Sequence, residues 1–190
     1  MHLDRVSTRT CVALAAVLLT LQGGALLALG RPFVCECGHV SLWYGNPSGP
    51  ETSQQLTDWY TFTHVLHGFL FYLLLWLIAP KAPLRLRFAA VLGIEVLWEI
   101  AENSPFIIER YRLSALALGY TGDSVVNSLT DSLATALGFV LAHVLPVRVS
   151  IAAVVGIELF LAYMIHDNLT LNIIHLLRPD GVSLPPGPRG

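Results

Sequence analysis

The chain has 190 residues, of which 54% are hydrophobic and only 13% charged, and its mean hydropathy is +0.63. Such a composition leaves too few charges for an ordinary soluble domain and describes an integral membrane protein. A net charge of −2 without a basic cluster argues against a nucleic-acid partner, and neither a Gly-rich phosphate loop nor a GxSxG elbow is present.

Residues 10–30 form an apolar run of about 20 residues, long enough for one membrane span. Arg5 and Arg9 precede it. A signal peptide ending near Ala28 and Leu29 is the competing reading, but the run exceeds the usual h-region, so a retained span is expected. Residues 31–57 are rich in Gly, Pro, Ser and Asn and read as an extramembrane loop. Within it, Cys35 and Cys37 lie one residue apart. A disulfide closing so small a ring competes there with metal ligation, for which His39 is a nearby ligand.

Four further spans are expected at about 62–79, 84–103, 123–145 and 148–165. Residues 80–83 join two of them tightly, whereas 104–122 form a longer loop carrying Glu109, Arg110 and Arg112. Residues 169–177 are too few to cross again, and 178–190 read as a disordered Pro/Gly tail. The expectation is therefore an all-α, polytopic five-span bundle forming one domain over 1–177. Lys81, Arg85, Arg87 and Arg148 fall in short segments on the side of the N-terminus, so the positive-inside rule orients the chain N-in, C-out, in a bacterial inner membrane.

Polar residues within the spans then gather toward the outer leaflet. Glu95, Glu99 and Glu102 share one helical face at spacings of four and three. His64 and His67 lie three apart near the outer end of the second span, and Asp123, Asn127 and Asp131 recur every four residues at the start of the fourth. Charge at membrane depth normally faces a bundle interior, so these groups are expected to share one outward-opening pocket. Glu99, Glu102, Asp123, His64 and His67 are the candidate catalytic acids and bases. His64, His67, Glu99 and Asp123 also form a candidate divalent-metal set. Arg110, Arg112, Asn103, Asn127 and Asp131 are candidate substrate-binding residues, with the two arginines suited to a phosphate. The bland alternative is that Asn103, Asn127, Ser104, Ser128 and Thr130 only hydrogen-bond helices together. Glu158, alone on its helix, is expected to pair with a residue of the cluster, and Trp43, Tyr44, Trp59, Tyr60, Tyr111 and Tyr120 read as an outer aromatic belt.

The blocks GRPFVCECG, SQQLTDWYTFTHVLHGFLFY, WEIAENSPFIIERYR, GDSVVNSLTD and YMIHDNLTLN resemble those of an uncharacterised family of bacterial inner-membrane proteins, a domain of unknown function, across about residues 30–177. A more distant likeness is to VanZ-like membrane proteins. In these a polar residue, a Glu, an Arg and an Asp-x-x-x-Asn pair follow in order, here His64 or His67, Glu99 or Glu102, Arg110, and Asp123 with Asn127. That likeness implies cell-envelope chemistry, although the extra acids and the CxC loop depart from its pattern.

Three functions are compatible with these residues: an envelope-lipid enzyme or headgroup-binding protein, a proton- or ion-coupled transporter, and a non-enzymatic membrane scaffold. The partners expected are the bilayer and a lipid headgroup, with a divalent metal as the candidate cofactor. Oligomeric state is left open by the sequence.

Overall fold

Helix starts are written plainly in this chain. Ser7, Ser104, Ser124 and Asn168 each place a side-chain oxygen on a backbone N–H of the first turn that follows. Pro83 and Pro146 supply the extended residue before two others. In the computed structural model, which describes residues 7–113 and 119–178, these signals open six of seven helices, and no strand occurs among the described residues.

The long helices are α1 (Thr8–Ala28), α2 (Thr61–Ile78), α3 (Leu84–Glu102), α5 (Val125–Val144) and α6 (Val147–Ile165). Each lies within about two residues of a predicted span, as expected where apolar runs meet polar turns. Four of them, all but α3, are long and apolar enough to cross a membrane. Helix α3 has the length, at 19 residues, but carries Arg85 and Arg87 in its first turn and three glutamates in its second half.

Two short helices complete the chain. The segment read as a loop after residue 103 contains α4 (Pro105–Arg112), begun by the Ser104 cap and a proline in its first turn. Residues 169–177, too short to cross, form α7 (Leu169–Leu177). Helix α6 ends at His166, whose left-handed backbone (φ 58°) turns the chain toward α7. The predicted tail from residue 179 lies outside the described residues, as does Arg5.

Helices α2 and α5 form the central pair. A Cβ built on Gly68 would collide with the backbone of Thr135 and Phe139, and one on Gly138 would collide with the carbonyl of Val65. Small residues thus let the two backbones touch, the usual basis of helix association in a bilayer. One half of the bundle is sealed by Leu75, Val91 and Phe139, with Phe71, Tyr72, Leu84 and Phe88 around them. The Phe139 ring meets Tyr72 at 5.1 Å and Phe88 at 5.3 Å.

Helix α1 packs on α3 and α5 through a buried amide. Gln22, 0% exposed, donates to Ser128 Oγ at 2.7 Å and accepts from Ser132 Oγ at 2.8 Å. Opposite the apolar seal, residues 53–55 dock on the start of α5. Ser124 N donates to Ser53 O, and Asn127 Nδ2 to Gln55 O, both at 2.9 Å.

The glycine contact makes a direct prediction. Replacing Gly68 with Val overpacks the α2–α5 seam and lowers stability by roughly 1–3 kcal/mol. Gly93→Ala in α3, where an added Cβ meets nothing within 4 Å, raises it by about 0.5–1 kcal/mol. Thermal melts of the two detergent-purified variants read the opposite shifts.

Candidate functional site

The glutamate face of α3 and the histidine face of α2 point at each other. Glu95, fully buried, accepts one hydrogen bond on each carboxylate oxygen: His64 Nδ1 at 2.6 Å and His67 Nδ1 at 3.0 Å. One carboxylate therefore fixes two imidazoles, and their rings stand edge to face at 4.9 Å. Because Nδ1 serves Glu95 in both rings, each Nε2 is the atom left for further chemistry.

One turn on, Glu99 is equally buried. Its Oε2 accepts from Ser128 Oγ at 2.7 Å, while Oε1 lies 3.3 Å from His64 Nδ1 without a hydrogen bond. Through Ser128 the carboxylate is linked to Gln22, so a polar relay runs from α1 across α5 to α3 and α2. Glu102, at the end of α3, takes side-chain hydrogen bonds from Trp98 and Tyr111. Its Oε2 has no partner among the described residues.

Asp123 sits just before α5 rather than on it. Gly122, with φ of 94°, turns the chain so that Asp123 accepts from Asn103 Nδ2 at 2.6 Å and from the Tyr120 hydroxyl at 2.9 Å. Asp131, one helical turn below Asn127, is buried, and its Oδ1 is without a hydrogen bond among the described residues.

Between these elements lies a cavity of about 800 Å³. His64, His67, Glu102, Asp123 and Asp131 line it, together with Tyr60, Tyr111 and Tyr120. The three tyrosines thus face the cavity rather than forming a lipid-facing belt. The Tyr60 hydroxyl donates to Asp167 at 3.1 Å, and Tyr111 stacks edge-on against Tyr120 at 5.7 Å.

Other predicted residues go elsewhere. Arg110 bonds the carbonyls of Leu176 and Leu177, capping α7, and Arg112 Nε donates to Tyr120 O at 2.6 Å. Neither arginine lines the cavity, because the last carbonyls of a short helix and a turn claim their guanidinium groups first. Asn127 serves Gln55 and also stays outside the lining. Asn103 joins α3 to Asp123 as interhelical polar glue. Glu158 does not join the cluster: it caps α7, accepting from Leu169 N at 3.0 Å and from Thr170 Oγ1 at 2.6 Å. Cys35 and Cys37 are joined by a disulfide, and His39 pairs with Glu51 instead, at 3.2 Å. The proposed quartet of His64, His67, Glu99 and Asp123 is not assembled as one set. The donors that come together are His64, His67 and Glu95 in one group and His64, Glu99 and Glu102 in another.

Residues 26–182 match the family described as Protein of unknown function (DUF2585). The chain belongs to this family. Members similar to it include UPF0314 proteins of Brucella anthropi, 49% identical over 85% of this chain and 82% of the relative, and of Paracoccus denitrificans, 50% identical over 81% and 80%. A third, from Sphingopyxis alaskensis, is 45% identical over 90% and 92%. No solved structure matches. Every DUF2585 residue of the cluster just described lies in the matched stretch except Gln22, which precedes it.

Outside the long helices, burial sets the titration of Asp58. It is 2% exposed, and loss of water raises its pKa above the ordinary 3.8, against the opposing pull of N–H donors from Ser53 and Tyr60. The folded state therefore binds this proton more tightly than the unfolded chain. Its stabilisation is complete below pH 3.8 and is lost as pH rises toward the raised folded value. The stability advantage of wild type over Asp58→Asn is expected to be largest at acid pH and to narrow as pH rises, in melts recorded from pH 4 to 8.

The clamp on the histidines gives a second test. Glu95→Gln keeps one acceptor oxygen but turns an amide N–H₂ toward a ring nitrogen, costing roughly 1–3 kcal/mol. Nitrogen-15 NMR of the imidazoles should then show loss of the Nδ1-protonated form in one ring.

Proposed function

We propose that this chain is a five-span inner-membrane protein, N-in and C-out, whose pocket receives the polar head of an amphiphile from the outer leaflet. The observation that carries the reading is the two-sided lining of the cavity. Its floor is made of the imidazoles, carboxylates and tyrosine hydroxyls described above. Its rim includes Leu70 of α2, Leu97 of α3, and Ile173 and Leu177 of α7, which are 42%, 69%, 47% and 68% exposed. Side chains that line a cavity and also face outward from an apolar bundle mark a sideways mouth toward acyl chains.

Helix α3 supports the fifth span because its glutamates Glu95 and Glu99 are buried inside the bundle, with hydrogen bonds to α2 and α5, rather than facing lipid. Lys81, Arg85, Arg87 and Arg148 sit at the opposite end from the cavity, which supports the orientation. The VanZ-like order of residues is met only partly, since Arg110 serves α7.

The chemistry of the head follows from the lining. Among the described residues no Lys or Arg borders the cavity, so a bare phosphate has no cationic partner there. Hydroxyl or ammonium donors suit the floor better, and the imidazoles held by Glu95 have the base-and-orienter arrangement of acid/base catalysis. The transporter reading is disfavoured by the apolar seal around Leu75, Val91 and Phe139, which closes the other half of the bundle.

Protein extracted in mild detergent should carry a lipid detectable by native mass spectrometry. Leu97→Arg at the mouth and Asp131→Asn at the floor should each lower its retention about tenfold, a change of about 1.4 kcal/mol. Undiminished retention in both variants would reverse the reading.

A further inference from the structure

We infer that His64, Glu99 and Glu102 form a site for one divalent transition-metal ion at the inner wall of this pocket. A ring nitrogen of His64 and one oxygen from each glutamate lie within 4.8 Å of one another. Donors bonded to a metal at about 2.1 Å stand roughly 3–4 Å apart, so small side-chain movements close the site. A feature independent of proximity singles out this triple. Glu99 Oε1, 3.3 Å from His64 Nδ1, and Glu102 Oε2 are buried carboxylate oxygens without hydrogen bonds among the described residues, and Glu99 is 0% exposed. An unmatched carboxylate oxygen in that position is costly, and a bound cation offsets that cost in place of a proton.

The neighbouring carboxylates are already engaged, and His64, whose Nδ1 serves Glu95, would present Nε2 to a metal. Both oxygens of Glu95 take imidazole N–H groups, and both oxygens of Asp123 take hydrogen bonds from Asn103 and Tyr120. Charge points the same way. Glu95, Glu99 and Glu102 bring three formal negative charges against two imidazoles, and a dication offsets the excess. One imidazole with two carboxylates suits zinc or manganese rather than calcium, which takes all-oxygen shells.

His64 and Glu102 also line the cavity, so the ion would meet whatever occupies it. The inference rests on the proposed pocket for its purpose, because a metal at this wall would coordinate a hydroxyl oxygen of the head the pocket receives. Its test uses no lipid. Full-length protein stripped with chelator should bind about one equivalent of Zn²⁺ or Mn²⁺ by calorimetry, and bound Mn²⁺ should alter its electron paramagnetic resonance spectrum. Glu102→Gln, on the partly exposed last turn of α3, and His64→Gln should each weaken binding at least tenfold. Glu158→Gln, at the distant α7 cap, should leave it unchanged. Circular dichroism identifies variants that fold. No binding by wild type, or equal binding by wild type and a folded Glu102→Gln, overturns the site. Lipid retention is scored separately, so metal binding without lipid sinks the amphiphile reading alone, and lipid without metal sinks this inference alone.

Discussion

Burying a carboxylate among apolar helices is the constraint from which most of this architecture follows. A carboxylate taken from water costs several kcal/mol unless donors meet it, so each buried acid recruits partners from neighbouring helices. Glu95 does this most completely, with an imidazole on either oxygen. Glu99 draws in Ser128, and Ser128 draws in Gln22. Four helices are thereby tied by hydrogen bonds at one depth, where apolar packing alone would leave them free to slide past one another.

Much of the fold was legible from apolar runs and punctuation. Long helices appear where the predicted apolar runs are bounded by Pro, Ser or charge, and four of them are long and apolar enough to cross a membrane. Helix α4 escaped because its eight residues carry Glu109, Arg110 and Arg112 and show no long apolar face. The Ser104–Pro105 pair was the available sign of a helix start.

The site was legible in outline only. Spacings of three and four placed the Glu and His faces, since helical geometry alone decides them. Which donor meets which acceptor depended on helix rotation and depth, which packing decides and residue spacing alone does not reveal. Asp123 joined Asn103 and Tyr120 rather than the histidines, and the arginines went to backbone carbonyls. Gln22 was the lone amide in an otherwise apolar helix, a signal present but outweighed by the charged residues elsewhere.

The contact of Gly68 with the α5 backbone makes the bundle mechanically uneven. With no side chains between them, α2 and α5 have no compressible layer, and separating them would open a void along the whole seam. The α4–α7 side is held differently, by Arg110 on the last carbonyls of α7 and by the Glu158 cap. The wall that carries His64 and His67 is thus fixed by backbone meeting backbone, whereas the α7 wall rests on single hydrogen bonds, each removable by one substitution.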